Sequence, residues 1–514
     1  MTLVLLVLIP LLGGLACWQS ERWLGAHAPR WIGLLTMLLT LILTIYLWVA
    51  GDYSGTWLGM DSHAHWVFEY QAPWIPRLGA SFHFALDGLS LLLIVMTAAI
   101  GITAVACSWR EIQRHAGFFY LNLLWNLAGT IGVFLAVDLL LFFFFWEIML
   151  VPMFFLIALW GHDAPGGLSR INAAIKFFIY TQASGLLMLL SILALVFVHQ
   201  QNTGVLTFDY DQLLGTVMNS TAAFWMMLGF FIAFMVKFPS VPLHSWLPDA
   251  HSQAPTAGSV VLASLMLKTA AYGLMRFVIP LFPHASVEFA PVAMWLGVAS
   301  VLYGAVLAFG QHDIKRLVAY TSISHMGFVM LAIYVGTEQA LQGAMINILS
   351  HGVTAGALFI LCGEIYERLH TRDLRLMGGL WAQFPLLPPI LMFFALAAMG
   401  LPSTGNFIGE FLVLLGSYQI APVVTWVAAS GLIISTAYAL IMVQRAVHGP
   451  AREPDDSKHL FELNGREIAT LMVLAGLLLW LGLYPQTFLD VSAAPMHALH
   501  HWYTAAQTTG VAAR

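Results

Sequence analysis

Fourteen apolar segments, most of about the length that a bilayer crossing requires, take up most of this 514-residue chain. They fall at 3–18, 31–50, 84–108, 117–136, 138–160, 171–198, 221–250, 256–280, 290–309, 316–336, 340–366, 385–420, 423–447 and 466–486. Hydrophobic residues make up 60% of the chain and charged residues 9%, whereas soluble domains carry about 25% charge. In hydrocarbon each backbone polar group must be satisfied within its own segment, which for runs this long means helices. The expected fold is an all-α polytopic membrane protein with about 14 transmembrane helices.

The polar remainder sharpens that expectation. Residues 3–17 resemble a signal-peptide core, but no Lys or Arg precedes them, so they are assigned as the first spanning helix. With the N-terminus outside, fifteen of the 20 basic residues fall on inner loops, three (Arg77, Arg276 and Arg514) fall outside, and Lys237 and Lys268 lie within spans. That positive-inside bias places both termini on the periplasmic side of an inner membrane. A net charge of −5, dispersed along the chain, offers nucleic acid no basic surface. Cys17, Cys107 and Cys362 are scattered in apolar runs and read as small core residues.

Two segments are too long for one pass, and each contains a break. Residues 221–250 carry Phe238-Pro239-Ser240-Val241, and residues 385–420 carry Leu401-Pro402-Ser403-Thr404. Proline removes an amide donor and clashes with the preceding turn, so both segments are expected to be discontinuous helices. The breaks lie five helices apart. An odd number reverses orientation, which points to two inverted five-helix repeats with ion sites near mid-membrane. The chain then divides into helices 1–3 (1–116), a first repeat (117–280), an inverted second repeat (290–447), and a last helix with its tail (448–514).

Ionisable residues inside the spans are few. A charged side chain at the bilayer centre costs about 2.5–3.5 kcal/mol on insertion scales, so these mark a candidate ion or proton path. They are Glu147 after a run of phenylalanines, Lys237 beside the first break, Lys268 in the next helix, His325 and His351, and Glu410 after the second break. Glu147 and Lys237 suit an ion pair: at about 4 Å and an effective dielectric near 20 they attract by about 4 kcal/mol. Making and breaking that pair would change proton affinity about a thousandfold. The membrane potential offers work on the same scale, about 2.3 kcal/mol per charge per 100 mV. Histidines relay protons through either ring nitrogen, although a membrane histidine also serves as an interhelical hydrogen-bond partner. Asp87 and Asp138 fit helix ends. His244 and His251 flank the first break at a spacing poorly suited to a metal. No dinucleotide fingerprint, P-loop or cysteine cluster is present.

These residues and their settings resemble the antiporter-like membrane subunits of proton-pumping NADH:quinone oxidoreductase, respiratory complex I. The resemblance runs essentially end to end. Its most specific pieces are FFFFFWEIMLVPMFFLIALWG, KFPSVPLHSWLPDAHSQAPTAGS, LKTAAYGLMR, DIKRLVAYTSISHMGF, YERLHTRDLRLMGGL and LPSTGNFIGEF. It implies fourteen helices, two inverted repeats and a half-channel in each. It also implies Glu147 and Lys237 as a coupled pair, Lys268 as the central lysine, His325 and His351 on a central hydrophilic axis, and Glu410 as the terminal group, where related chains typically carry lysine. Flavin (FMN), iron–sulfur clusters and the quinone site would belong to partner subunits, leaving no cofactor on this chain. Its partners would be the other membrane-arm and peripheral-arm subunits, sibling antiporter-like chains among them, together with lipids. Two other readings stand beside this one: a subunit of a multisubunit sodium/proton antiporter or membrane-bound hydrogenase, and a passive membrane scaffold.

Overall fold

Among the described residues of the computed structural model, thirteen helices are long and apolar enough to cross a membrane, and two half-helices supply the remaining expected segment. The described residues are 1–53, 66–163, 167–449 and 461–512. Arg452, Lys458 and Arg514, which entered the charge balance above, lie outside them.

The helices follow the apolar runs closely. α1 (Thr2–Leu24) and α2 (Ala28–Ala50) precede a β-hairpin formed by β1 (Phe68–Ile75) and β2 (Ala80–Leu86), then α3 (Gly88–Glu111). There follow α4 (Ala116–Leu135), α5 (Leu139–Trp160), α6 (Arg170–Thr203), α7 (Ser220–Lys237) and the short α8 (Trp246–Gln253). Next come α9 (Thr256–Leu281), α10 (Pro283–Phe309), α11 (Ile314–Val335) and α12 (Glu338–Leu369). The half-helices α13 (Leu387–Ala398) and α14 (Gly405–Tyr418) lead into α15 (Pro422–Val447), α16 (Gly465–Leu483) and α17 (Gln486–Ala512).

Burial separates the helices by role. In α9 and α12 the apolar window is wholly buried, while in α1 and α2 only a third of it is, so the latter present apolar faces outward as a lipid-facing helix does. Asp87 and Asp138 cap helix starts as expected. Asp87 accepts from Ser90 N at the start of α3, and Asp138 accepts from Leu140 N and Leu141 N at the start of α5.

Both expected breaks are present. α7 ends at Lys237 and the chain resumes as α8 after Pro239 and Pro242. Ser300 of α10 tethers the interruption through Ser240 Oγ (2.8 Å) and Val241 N (3.0 Å), and Trp246 Nε1 donates back to Val236 O at 2.8 Å. At the second break Gly400 and Ser403 take positive φ of 86° and 81°.

Three features were not legible in the sequence. α9 contains two widened turns, Leu262–Met266 and Leu274–Val278, with five-residue hydrogen-bond spacing. The polar stretch before α3 forms an antiparallel hairpin, with Tyr70 opposite Phe84. Its turn glycine, Gly79, has φ 69° and packs so close to Leu206 O that a Cβ would lie 1.9 Å from it. Finally, α17 is a 27-residue helix that packs on α3, α10 and α12. It runs from the start of α3, where Gly88 abuts Val491 O, to the end of α11, where Tyr503 donates to Tyr334 O and His500 bonds Gly336 O. Those two ends lie on one face of the bundle, so α17 lies across that face.

Two members of the charge count are buried. Arg276, counted on the outer side, is 5% exposed and sits within α9, paired with Asp87. A guanidinium there is tolerated because the carboxylate at the start of α3 meets it. Lys315, assigned to an inner loop, is 2% exposed and donates to Ala254 O at 2.9 Å.

Candidate functional site

All six candidate residues are buried or half-buried in the bundle, but they are assembled unevenly. Glu147 sits at a bend in α5. Pro152 withholds an amide from the preceding turn, and the helix loosens at Met149, whose carbonyl accepts from Asn126 Nδ2 at 2.5 Å. Gly185 of α6 leaves room for the carboxylate, since a Cβ there would stand 2.6 Å from Glu147 Oε1. That oxygen has no hydrogen-bond partner, and neither does Lys237 Nζ.

Glu147 and Lys237 are therefore not in contact. The ammonium of Lys237 lies 4.1 Å from the centroid of the Trp146 ring instead. Trp146 is held for this by Phe234 of α7, at 5.4 Å between centroids, and by Phe142 at 5.8 Å. A desolvated cation–π contact is worth about 2 kcal/mol. A contact ion pair at an effective dielectric near 20 is worth about 4. The aromatic contact holds the lysine without matching the pair, so a modest rearrangement favours closure.

The centre is tighter. Lys268 is fully buried in α9, and its Nζ lies 2.6 Å from Ala263 O and 2.6 Å from His351 Nδ1. Ala263 belongs to the first widened turn, so the local unwinding adjoins the lysine's own anchor. The His351 and His325 rings are 5.4 Å apart between centroids. His325 Nδ1 meets Glu410 Oε1 at 2.9 Å, and its Nε2 lies 3.4 Å from the Tyr438 hydroxyl. Glu410 is 3% exposed and reaches the second break, where a Cβ on Gly400 would stand 3.1 Å from Oε2. Lys268, His351, His325 and Glu410 thus form one buried row across α9, α12, α11 and α14.

Two further histidines lie in and just after the first break, and only the second, His251, borders the row. His251 on α8 is fully buried, stacks on Phe359 at 4.4 Å, and has no partner at either ring nitrogen. It lies within electrostatic reach of both Lys268 and His351. His244 lies in the first break, 5.1 Å between ring centroids from Tyr303, with Nδ1 unpartnered. Tyr438 was not foreseen. No local motif marks it, since it reaches His325 from α15, more than a hundred residues away.

Two cavities lie outside the row, lined by none of its four residues. A polar one of about 280 Å³ is lined by Glu111, Lys315, Glu364, His162, His370 and Arg372. His162 lies just beyond α5; burial, then the charges of Lys315, Arg372 and Arg170, lower its pKa to about 4, keeping it neutral at ordinary pH. An apolar groove of about 960 Å³ runs between α1 and α5, and Glu147 opens onto it.

Buried acids, lysines and histidines threaded between two broken helices define the class: an antiporter-like, polytopic ion-path membrane protein. The family model described as NADH:quinone oxidoreductase/Mrp antiporter, TM, matches residues 136–435. The chain is 57% identical over 509 residues to NADH-quinone oxidoreductase subunit M of Escherichia coli (strain K12), covering 99% of each. It is similar to a chain of respiratory complex I from Thermus thermophilus with bound NADH, with 30% identity, TM-score 0.85, and 98% and 100% of the two chains covered. A chain of the Mrp complex from Dietzia sp. DQ12-45-1b shares the fold at TM-score 0.82 and 21% identity, with 98% of each covered. The chain belongs to the NADH:quinone oxidoreductase/Mrp antiporter transmembrane family.

Proposed function

We propose that this chain is a proton-translocating membrane-arm subunit of NADH:quinone oxidoreductase, a multi-pass protein of the bacterial inner membrane. Electron transfer in partner subunits would drive it. The observation that carries this reading is the buried row Lys268–His351–His325–Glu410, which links the helix after the first break to the second break by side chains that can each hold a proton. Lys268 Nζ and His351 Nδ1 are close enough to share one proton, and His351 Nε2 is free to pass it on. His325 can take it at one nitrogen and give it from the other toward Glu410. Lys237 and Glu147 form the input pair, which opens and closes over Trp146.

Under this reading, residues 117–280 and 290–447 are inverted repeats with a half-channel each, and both termini face the periplasm. Flavin, iron–sulfur clusters and quinone sit on partner subunits. The sodium/proton antiporter alternative shares the fold. It is disfavoured by glutamate at 410, where the antiporter-like relatives that the sequence resembles typically place lysine.

The test measures NADH oxidation and proton uptake together in inside-out membrane vesicles, for wild type and Lys237→Ala. Both should fall in the variant. Intact oxidation with lost sodium/proton exchange would transfer the assignment to the antiporter class. No change in either would make the buried lysine structural and defeat the reading.

A further inference from the structure

The half-helix α8 is gripped from both sides of the molecule by one carboxylate. Asp249 Oδ2 accepts from Lys176 Nζ of α6 at 2.8 Å, and its Oδ1 accepts from Arg316 of α11 at 2.7 Å. Lys176 also donates to Ser245 O at 3.0 Å, and Tyr180 of α6 bonds Ser245 Oγ at 2.9 Å. Beyond the other end of α8, Lys315 of α11 donates to Ala254 O at 2.9 Å. Arg372 donates to Ser252 O. α8 is thus suspended between α6, from the first half of the chain, and α11, from the second.

Asp249 and His251 are two residues apart on this helix, hence about 200° apart around its axis. The Asp249 face carries the ion pairs, with side-chain exposures of 28% for Lys176, 13% for Asp249 and 29% for Arg316. The opposite face carries the His251 ring, buried against Phe359 of α12. A carboxylate held by two cations on different helices resists rotation of α8 about its axis. One pair alone would leave it free to swing about the other. Partly exposed ion pairs contribute little to stability, so holding a rotation is the effect this arrangement delivers most strongly.

We propose that Asp249, by bridging Lys176 and Arg316, is a positioning residue that sets the rotation of α8 and thereby the placement of the His251 ring in the proton path. This rests on the proton-translocation reading above. It assigns Asp249 no proton of its own.

The test uses the assembled complex in inside-out vesicles, with complex content and NADH oxidation by an artificial acceptor as controls. Asp249→Asn keeps the shape and removes the charge; it should lower protons moved per NADH about threefold or more and shift the pH of half-maximal pumping by about half a unit or more. Asp249→Glu should restore most of the pumping and the original profile. Asp249→Asn combined with His251→Gln should pump no worse than His251→Gln alone, since the first acts through the second. Arg316→Gln, which leaves the Lys176 arm in place, should fall between wild type and Asp249→Asn, and supplies the same comparison if the Asn variant fails to assemble. Wild-type pumping in Asp249→Asn would overturn the proposal. So would reduced pumping with an unmoved pH profile and losses additive with His251→Gln, which mark a merely structural role. If Lys237→Ala also pumps normally, the translocation reading falls with it; if Lys237→Ala abolishes pumping and Asp249→Asn does not, only the positioning role fails.

Discussion

The acids associated with the two helix breaks, Glu147 on α5 and Glu410 on α14, are in opposite states. Beside the first break Glu147 and Lys237 stand apart, each with an unpartnered buried atom, and the lysine rests on Trp146. Beside the second, Glu410 is bonded to His325 at 2.9 Å, and His325 is backed by Tyr438. The difference lies in what surrounds each acid. Glu147 has the side-chain amide of Gln182 as a neutral partner and one oxygen left over, whereas α11 offers Glu410 an imidazole on the adjacent helix. Under the proposed function, an open pair in the first half and a closed pair in the second would give proton movement a direction.

The largest break in this asymmetry comes from removing the open lysine. Lys237→Ala should reduce pumping at least tenfold in vesicles while the complex still assembles. Pumping above a third of wild type would mean that the open pair is not on the path. Next, Glu410→Gln leaves His325 without its carboxyl partner. We expect a several-fold loss of pumping, read as proton uptake per NADH, and unchanged uptake would place the exit elsewhere.

Trp146→Leu acts on the balance itself. Losing a cation–π contact worth about 2 kcal/mol removes the lysine's resting place and shifts it toward Glu147. Pumping should slow two- to fivefold, with a pH profile displaced from wild type. A profile superimposable on wild type would show that Trp146 only fills space.

The smallest effect is expected far from the row, at the hairpin. His83 lies between Asp209 Oδ2 at 2.7 Å and Glu69 Oε1 at 2.8 Å. Burial opposes charge on it, but the hydrogen bond and charge of Asp209, the hydrogen bond of Glu69 and the charge of Asp211 prevail and raise its pKa above 6.5. A histidine raised on folding stabilises fully below its unfolded value and loses that contribution as pH rises through its folded value. The hairpin should therefore resist protease better at acidic pH. In His83→Gln that resistance should be flat between about pH 6 and 8, and a variant as pH-dependent as wild type would refute the role of His83.

Much of the framework was legible because it follows from local chemistry. Pro239 and Pro402 interrupt helices wherever they fall, and Asp87 and Asp138 cap helices through amides two or three residues away. The hairpin escaped notice because its strands are short and half polar, and it is stabilised by Asp209 from a distant loop. α17 escaped because its apolar residues are spread around a face-lying helix and form no continuous run. His251, weighed only as a poorly spaced metal ligand, is buried against Phe359 by the packing of α8 on α12, which no local pattern shows.

The sequence by itself determined which segments are apolar enough to cross the membrane, where two of them break, and that Glu147, Lys237, Lys268, His325, His351 and Glu410 lie within them, because backbone satisfaction and desolvation act on each segment alone. Only the tertiary structure decided which of those groups touch. Lys268 meets His351 and His325 meets Glu410, while Lys237 meets a tryptophan in place of Glu147. Contact between buried charges depends on the packing of helices remote in sequence, and no residue pattern within any one of them specifies it.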